Sequence, residues 1–508
     1  MKPLSLSIVV LGLSLLSPTG APAEIASRRL PRSAPETQGV SSAALREFVE
    51  ALDRLDAMHS FMLVRHGHVI AEGWWDPYAA GDNHELYSLS KSFASTAVGF
   101  AVAEGRLSID DQVLKFFPAD APAEVSTNLK AMRVRDLLTM TTGHQDEPSA
   151  APDKISARAF LAHPVPHKPG THFKYNTAAT FMLGAIVEKL TGQGLVEYLR
   201  PRLFEPLGIE RPFWATNSQG IALGGYGLRV RTEDIACFGQ LYLQRGRWGD
   251  RQLLPAAWVD LATSRQVSNG SNPQSDWDQG YGFQFWRCRH EAYRGDGAFG
   301  QYCLVLPRQD AVIVITSAVK DMQSVLNLIW DKLLPVFQPK RLKSDRRAHQ
   351  ALVDTLAHLR LPPVPDRRTA PLDAGIVDRK FVFPPNDQKI EAITLRNPPA
   401  EVASFGAMLI WQVNGVEYEI PCGRSVWLRS WLPRQAPLGA NPSEPVATSA
   451  GWTTNDTYTV QLAFYETPHL LTLRLTFEGD RLHLDSEVNV AFGPTKRPPL
   501  VGRAEPAP

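Results

Sequence analysis

Apolar residues recur with two different periods in the N-terminal part of the chain. The run SFMLVRHGHVIAEGWW at residues 60–75 alternates as two short strands around a turn at His66-Gly67-His68. From Ser88 to Glu104 the spacing becomes helical, with apolar residues on one face, and Gly105 stands where this helix would end. The chain therefore begins with a predicted hairpin and continues into a helical region.

Further helices and strands follow in an order that predicts the fold class. Helical spacing recurs in VRDLLTMTTGH, ending at Gly143, in Thr177 to Gly192, and in TEDIACFGQLYLQRG, where Thr232 is the predicted N-cap. The runs YGFQFWRC, QYCLVLP and AVIVITS are strand-like, and DMQSVLNLIWDKLLP is again helical. Because strands open and close this region while helices fill its middle, we predict an α/β (α+β) domain over residues 30–337. Its antiparallel sheet would be assembled from both ends of the domain, with a helical insert.

The composition changes near residue 338. Residues 338–371 are rich in Pro and Arg and are predicted to be a linker, with one short helical stretch near Ala351 to Leu359. Residues 372–500 alternate in short runs such as FVFP, AMLIWQV, VEYEI, TYTVQLAFY, LLTLRLTF and RLHLDSEV, which predict a small all-β domain, a sandwich or a barrel. Trp427 and Trp431 fit either an exposed aromatic patch or the core of this domain.

The N-terminus has the features of a secretory signal peptide. Lys2 precedes the apolar run LSLSIVVLGLSLL, and Ala21-Pro22-Ala23 has the small-x-small form of a cleavage site. This run is shorter than the roughly 20 residues that a membrane-spanning helix needs. We therefore predict a signal peptide at residues 1–23 and an exported, periplasmic or secreted protein with no stable membrane span. The alternative is an uncleaved anchor.

Composition and charge limit the classes of partner molecule that we expect. The 508-residue chain is 44% hydrophobic and 21% charged with a formal net charge of +1, which is a globular profile of a length that fits two or three domains. The near-neutral charge gives no electrostatic reason to expect nucleic acid or an anionic membrane as partner. None of the cysteines forms a C-x-x-C pair. Cys288 and Cys303 could meet across two strands, but buried free thiols are favoured because a domain of this size needs no disulfide.

The motif Ser88-Leu89-Ser90-Lys91 is the strongest candidate for chemistry. Alone it is a weak signal, because serine is also a common helix cap. Here positions i and i+3 share a helix face and the following residues are apolar, so burial would lower the pKa of Lys91 toward neutrality. A neutral amine could then act as the base that a serine nucleophile requires.

Three ordered segments give this region a family resemblance. YSLSKSF, RDLLTMTTGH and PGTHFKYNTAATFMLGAIVEKLTG resemble the serine β-lactamase-related family, which includes class C β-lactamases, D-alanyl-D-alanine carboxypeptidases, family VIII esterases and 6-aminohexanoate-dimer hydrolases. The resemblance covers roughly Pro35 to Pro335. It implies a β-lactamase/penicillin-binding-protein-like sandwich, with Ser88 as the nucleophile and Lys91 and Tyr175 as the proton-transfer pair.

Tyr175 also fits this role on chemical grounds. A phenol beside an ammonium has a lowered pKa, so a phenolate could relay a proton from Ser88 to the leaving group. By residue type alone a core tyrosine is the more common role. Its position within the motif favours the catalytic one.

Two departures from the family pattern limit the classes of substrate that we expect. Where the family has K-T-G or H-x-G, this chain has Gly295-Asp296-Gly297-Ala298, which keeps a backbone N–H for the oxyanion beside that of Ser88 but loses the cation for a substrate carboxylate. Where the family commonly reads Y-x-N, this chain reads Tyr175-Asn176-Thr177. Both departures favour a neutral ester or amide over a β-lactam or peptidoglycan substrate. The candidate oxyanion and substrate-binding residues are Ala298, Gly297, Asp296, Asn176 and Thr177.

Two other patterns are excluded by their context. The glycines of residues 295–300 spell G-x-G-x-x-G, with Asp321 about twenty residues on, but a dinucleotide fingerprint must open a helix and here a strand-like run follows. The histidines form no zinc motif, there is no G-x-S-x-G elbow, and His144 is predicted to be a loop residue. No metal or organic cofactor is predicted.

The sequence as a whole predicts an exported serine hydrolase that cleaves ester or amide bonds of a small molecule or peptide through an acyl-enzyme on Ser88. The alternatives are penicillin-binding or D-alanyl-D-alanine carboxypeptidase activity, β-lactamase activity, or a non-catalytic binding protein on the same fold. The altered third motif favours the binding protein. The intact Ser88, Lys91 and Tyr175 favour the enzyme.

Overall fold

The computed structural model describes residues 30–367, 376–397, 405–433 and 443–505. The predicted signal peptide lies outside the described residues, so it stays a prediction. Within the described ranges, no helix is long and apolar enough to cross a bilayer.

An antiparallel sheet forms the centre of the N-terminal domain. The strands of this domain are β1 (Met58–Arg65), β2 (His68–Trp74), β3 (His84–Glu85), β4 (Phe213–Trp214), β5 (Leu228–Val230), β6 (Arg247–Trp248), β7 (Arg251–Gln252), β8 (Trp286–Arg287), β9 (Tyr293–Gly297), β10 (Gln301–Leu306) and β11 (Ala311–Ser317). Six of them form the main sheet in the order β2-β1-β11-β10-β9-β8. The pairing of β1 with β11 places Phe61 opposite Ile315, both fully buried. The sheet is therefore assembled from both ends of the domain, as predicted.

Helices cover this sheet and fill the insert. They are α1 (Ser42–Asp53), α2 (Ser90–Ala103), α3 (Thr127–Ala131), α4 (Val134–Leu138), α5 (Ala157–Ala162), α6 (Thr177–Thr191), α7 (Leu195–Leu199), α8 (Glu205–Leu207), α9 (Thr232–Leu243), α10 (Ala256–Thr263), α11 (Met322–Leu328) and α12 (Arg346–Ala357). Helices α2 and α6 pack against each other and are buried along most of their length. Their burial on several sides explains why α2 has a single charged residue, Lys91, and why the charged residues of α6, Glu188 and Lys189, lie in its last turn.

The predicted end of α6 agrees with the structure, whereas the predicted start of α2 does not. Helix α6 ends at Thr191, and its C-cap is Gly192, whose φ of +69° is the left-handed conformation that glycine adopts without strain. Helix α2 begins at Ser90 rather than Ser88, because residues 87–89 form a separate 3-10 turn. The predicted nucleophile therefore lies just before the helix that carries Lys91.

Two other predicted helix boundaries are wrong. Helix α4 is shorter than predicted and ends at Leu138, because the backbone turns to a φ of +58° at Met140. The N-cap of α9 is Arg231 rather than Thr232. The backbone N–H of Arg231 donates to the Asp234 carboxylate at 2.9 Å. This hydrogen bond gives an acceptor to a backbone N–H at the N-terminus of α9 and places a carboxylate in the first turn of the helix.

The segment predicted as a linker contains a docked helix. Helix α12 begins earlier than predicted, at Arg346, and packs on α1. Leu352 is buried, and the side chains of Leu356 and Leu359 lie over Gly73 of β2, where a Cβ would come within 2.9 Å of both. These apolar contacts attach the described part of the segment to the N-terminal domain.

The cysteines are free thiols. All four are buried and unbridged, as favoured by the sequence. Cys303 lies opposite Gly295 in the β9–β10 pair, while the Cys288 sulfur accepts from the Arg294 guanidinium at 2.9 Å. Strand β9 lies between the two cysteines in the chain, and Cys303 lies in β10.

A second antiparallel sheet forms the C-terminal domain. Its strands are β12 (Lys380–Val382), β13 (Ile390–Arg396), β14 (Phe405–Val413), β15 (Val416–Arg424), β16 (Leu428–Pro433), β17 (Ser443–Trp452), β18 (Thr457–Ala463), β19 (Leu470–Glu478), β20 (Arg481–Val488) and β21 (Leu500–Ala504). The order is β15-β14-β13-β12-β21-β20-β19-β18-β17-β16, and β15 also pairs with β17, so the sheet closes on itself. Every run predicted from alternation becomes a strand, whereas β13, β16, β17 and β21 were not predicted.

Polar groups join the two domains. Arg229 of β5 pairs with Glu85 at 3.4 Å and reaches two carboxylates of the C-terminal domain, Glu444 at 3.2 Å and Glu466 at 3.5 Å. The Trp427 indole also lies at this interface, where it donates to a backbone carbonyl of the segment after α12. The neighbouring tryptophan, residue 431, is 63% exposed.

Candidate active site

Ser88 lies in a strained turn at the start of α2. The 3-10 turn Tyr87–Leu89 precedes the helix directly, and Ser88 is half-buried, so solvent reaches it. Tyr87 has a φ of +46°, a conformation that is unfavourable for a residue with a side chain. Such strain is often found at functional sites.

Lys91 lies one helical turn after Ser88 and faces it. Its amine is 3.1 Å from the Ser88 hydroxyl oxygen. The lysine is 1% exposed, and two further contacts hold its amine, one to the Gly225 carbonyl at 2.8 Å and one to the Thr177 hydroxyl at 3.4 Å. Helical spacing thus brings the predicted base to the predicted nucleophile.

The surroundings of Lys91 favour its neutral form. Burial lowers the pKa of Lys91 to about 7, against an opposing effect of the carboxylates of Glu147 and Asp296. A large fraction of the amine is therefore unprotonated near neutral pH. This is the lowered pKa that the apolar sequence around Lys91 predicts.

Tyr175 lies beside both residues. Its ring centroid is 5.0 Å from the Lys91 amine, and the Ser88 hydroxyl is close enough to the phenol to affect its pKa. The ring stacks on Trp286 with the centroids 5.3 Å apart. Burial, reinforced by the Asp296 carboxylate, raises the pKa of Tyr175 well above its usual value. This direction is opposite to the lowered pKa expected from the sequence, because desolvation of the phenol has the largest effect and favours its protonated form.

Gly225 is a site residue that the sequence analysis missed. A Cβ at this position would lie 2.6 Å from the Thr177 methyl group and 3.4 Å from the Lys91 amine, so only glycine brings this carbonyl to Lys91. Gly225 precedes β5, and the Gly224-Gly225 pair was the available signal. A glycine pair before a strand often marks a close backbone approach.

Glu147 was also missed. It lies in the loop after α4 with an exposed side chain, and its carboxylate accepts a hydrogen bond from the backbone N–H of Thr177, the first residue of α6. A carboxylate is favourable at this helix end. The same carboxylate is close enough to Lys91 and Tyr175 to affect the pKa of both. The acidic pair Asp146-Glu147 right after the second motif was its only signal.

The glycines of the third motif let strand β9 approach the nucleophile turn. A Cβ at Gly297 would lie 2.0 Å from the Leu86 carbonyl oxygen, and one at Gly295 would lie 2.4 Å from the Leu89 side chain. Ala298, the residue after β9, is half-buried. In the described part of the chain, the backbone N–H groups of Ala298 and Ser88 have no acceptor.

Asp296, which the sequence predicts to be a substrate-binding residue, forms a buried ion pair in the structure. Its carboxylate accepts from the fully buried Arg294 guanidinium at 2.8 Å. Burial raises the pKa of Asp296, and the guanidinium opposes that rise. Alternate residues of a strand point to opposite faces, which explains how both glycines face the turn while Asp296 between them faces the buried arginine.

Asn176, which the sequence predicts to be a substrate-binding residue, is fully buried at the start of α6. Its side-chain oxygen accepts from the backbone N–H of Ala179 at 3.0 Å and caps α6. Its amide nitrogen lies 3.3 Å from the His144 ring nitrogen and 3.5 Å from the Thr142 hydroxyl. His144 does lie in a loop, as predicted, but it is fully buried.

A family model decides the identity of this fold and site. The model described as Beta-lactamase matches residues 44–329, which include Ser88, Lys91, Tyr175 and the β9 motif. The chain belongs to the β-lactamase family. Relatives in this family are serine hydrolases that act on amide or ester bonds, and this chain is a serine β-lactamase-family hydrolase.

The chain is similar to two named proteins in sequence and to a solved structure in fold. A 6-aminohexanoate-dimer hydrolase of Paenarthrobacter ureafaciens is 27% identical over 61% of this chain and 84% of its own length. A protein of Escherichia coli (strain K12), provisionally named a D-alanyl-D-alanine carboxypeptidase, is 27% identical over 35% of this chain and 55% of its own length. The solved structure of EstCE1, a hydrolase with promiscuous acyltransferase activity, has 18% identity and a TM-score of 0.48 over 57% of this chain and 98% of its own.

The structure rejects the dinucleotide fingerprint. Residues 295–300 form the end of β9 and the turn into β10 of an antiparallel hairpin, and no helix follows them. Within the described residues, no group of three or more His, Cys, Asp or Glu side chains could hold a metal ion.

Proposed function

We propose that this chain is an exported hydrolase of neutral carboxylic esters or amides that works through an acyl-enzyme on Ser88. The observation that carries the proposal is the 3.1 Å contact between the Ser88 hydroxyl and the Lys91 amine, whose pKa is lowered to about 7. A serine needs such a base to attack a carbonyl. Export rests on the N-terminal sequence features alone.

Acylation uses three side chains and two backbone groups. Neutral Lys91 takes the proton of Ser88 while the serine oxygen bonds to the substrate carbonyl carbon. The carbonyl electrons move to the oxygen, which accepts from the N–H groups of Ser88 and Ala298. The phenol of Tyr175 then gives its proton to the leaving alkoxide or amine, and the proton on Lys91 replaces it.

Deacylation repeats these transfers with water. Lys91, neutral again, takes a proton from a water molecule as its oxygen bonds to the acyl carbon. The second tetrahedral intermediate is held by the same two N–H groups. Its collapse breaks the bond to Ser88, which recovers a proton, and releases the carboxylic acid.

The lost cation of the third motif and one exposed carboxylate disfavour an anionic substrate. Gly295-Asp296-Gly297 contains no lysine or histidine, the charge of Asp296 is paired with Arg294, and Glu147 adds an exposed carboxylate. A substrate carboxylate would be repelled by Glu147 without a lysine to hold it. This supports an ester or amide hydrolase over a β-lactamase or a D-alanyl-D-alanine carboxypeptidase.

Intact-mass spectrometry of wild type and Ser88→Ala tests the proposal. Each protein is incubated briefly with p-nitrophenyl butyrate, a penicillin and a fluorophosphonate probe. We expect ester turnover and fluorophosphonate labelling of the wild type only. A long-lived penicillin adduct would instead support a penicillin-binding protein, and no Ser88-dependent mass shift with any reagent would support a binding protein.

A further inference from the structure

Four aromatic rings from the two domains form one cluster beside the nucleophile turn. Tyr87 and Phe299 belong to the N-terminal domain, and His469 and Phe492 belong to the C-terminal domain. The ring centroids of Phe299 and Phe492 are 5.1 Å apart, and those of Tyr87 and Phe492 are 5.9 Å apart. We call these four residues the aromatic cluster. Such spacings are those of direct ring contact.

The N-terminal members of the aromatic cluster are chain neighbours of both proposed oxyanion donors. Tyr87 directly precedes Ser88, and Phe299 directly follows Ala298, so each lies one Cα step of about 3.8 Å from a donor residue. Tyr87 and Phe299 both have a positive φ, +46° and +66°. The strained backbone on both sides of the oxyanion position is therefore packed against the C-terminal domain.

The C-terminal members have different surroundings. The His469 ring nitrogen lies 2.8 Å from the Tyr87 hydroxyl, and burial lowers the pKa of His469, so this contact is made by a neutral ring. Phe492 touches two other rings of the cluster but is 82% exposed. A phenylalanine this exposed leaves apolar surface in water, which is unfavourable unless a ligand covers it.

We propose that the aromatic cluster is an apolar subsite that binds the nonpolar part of the ester or amide substrate, with Phe492 as its outer wall. The inference rests on the proposed function. Tyr87 and Phe299 are the chain neighbours of Ser88 and Ala298, so we place the nonpolar group of a substrate held by these two N–H groups beside Tyr87 or Phe299. An alkyl or aryl group there would cover the exposed ring of Phe492. The C-terminal domain thereby contributes to substrate specificity.

The aromatic cluster carries no charge, and this determines the class of substrate group that it binds. Its rings are neutral, because burial raises the pKa of Tyr87 and lowers that of His469. Burial of apolar surface on such rings is the main available source of binding energy. We therefore assign to this subsite an uncharged alkyl or aryl group of several carbons.

Chain-length preference in two ester series tests the subsite. One series varies the acyl group from acetate to decanoate with a p-nitrophenyl leaving group, and the other varies the alcohol from methyl to octyl with a constant acetyl group. In Phe492→Ala we expect the ratio of kcat/KM for the longest to the shortest ester to fall about ten-fold in at least one series. Phe492→Leu, which keeps an apolar side chain, should retain most of the ratio.

Trp431→Ala is the matched control, because it removes another exposed aromatic ring of the same domain. In Trp431→Ala, the ratio of kcat/KM for the longest to the shortest ester should equal that of the wild type. Equal ratios in Phe492→Ala and the wild type in both series would overturn the subsite, even where fluorophosphonate labelling of Ser88 upholds the hydrolase.

If the wild type turns over no ester, the hydrolase proposal fails separately and the subsite is tested by binding. N-phenyl-1-naphthylamine, a neutral apolar fluorophore, should bind the wild type and Trp431→Ala and bind Phe492→Ala about ten-fold more weakly. Equal binding by all three proteins would overturn the subsite.

Discussion

The Lys91 amine lies closer to the Gly225 carbonyl oxygen, at 2.8 Å, than to the Ser88 hydroxyl oxygen, at 3.1 Å. A carbonyl oxygen can only accept, and the Thr177 hydroxyl 3.4 Å away can accept as well. A neutral amine has two N–H groups and one lone pair. With both N–H groups on these acceptors, the lone pair remains for the proton of Ser88.

The first prediction concerns pH. Because Lys91 must be unprotonated to act as the base, kcat/KM should rise with pH and level off above an apparent pKa near the value of about 7. The measurement is the pH profile of kcat/KM for a neutral ester between pH 5 and 9, at constant ionic strength. A flat profile over this range would contradict the assignment of Lys91.

The second prediction is that Lys91→Met gains stability while it loses activity. The ordinary pKa of 10.5 falls to about 7 on folding, so below pH 7 the folded protein carries the full cost of a buried ammonium. This cost declines as the pH rises from 7 and disappears above 10.5. At pH 6, Lys91→Met should therefore raise the free energy of unfolding, on the order of 1–3 kcal/mol after the lost hydrogen bonds are allowed for.

Urea unfolding of the wild type and Lys91→Met at pH 6 and pH 9 measures this effect. The difference in the free energy of unfolding between the two proteins should be smaller at pH 9 than at pH 6. Lys91→Met should show no acylation at either pH. A variant less stable than the wild type at pH 6 would show that the amine is stabilising in its site.

The third prediction is that Tyr175→Phe loses catalysis but keeps the pH profile. Because burial keeps the phenol protonated, Tyr175 acts as a proton donor and does not titrate near neutral pH. Removal of its hydroxyl should lower kcat by about 10²–10⁴ without shifting the apparent pKa of the ascending limb. The measurement is kcat against pH for both proteins, with far-UV circular dichroism as the control for folding.

The sequence predicted the parts of the site that depend on local spacing. Ser88 and Lys91 are three residues apart, so helical geometry alone brings them together, and the apolar sequence after them is enough to predict burial. Gly225 is 134 residues from Lys91, and only tertiary packing brings its carbonyl to the amine. Glu147 is likewise brought near Lys91 by tertiary packing, and it lies in a loop, where the sequence has no helix or strand periodicity from which its position could be predicted.

The features of the site that the sequence did not give depend on burial and on contacts formed by folding. For Tyr175 the neighbouring amine was expected to control the pKa, but the degree of burial, which the sequence does not give, has the larger effect. For Asp296 the missing information was its partner, Arg294, two positions earlier on the same strand face. The closed C-terminal sheet was predicted as all-β, yet its contact with the nucleophile turn required the structure.

The fourth prediction tests whether Asp296 is a structural residue. Asp296→Asn leaves the fully buried Arg294 without its charge partner, so it should lower the free energy of unfolding by about 3–5 kcal/mol. In the double variant Arg294→Met/Asp296→Asn, no unpaired charge remains, and part of the stability should return. Urea unfolding of the four proteins of this cycle gives the coupling free energy between the two side chains. If Asp296→Asn were as stable as the wild type and only KM changed, the carboxylate would be a substrate contact after all.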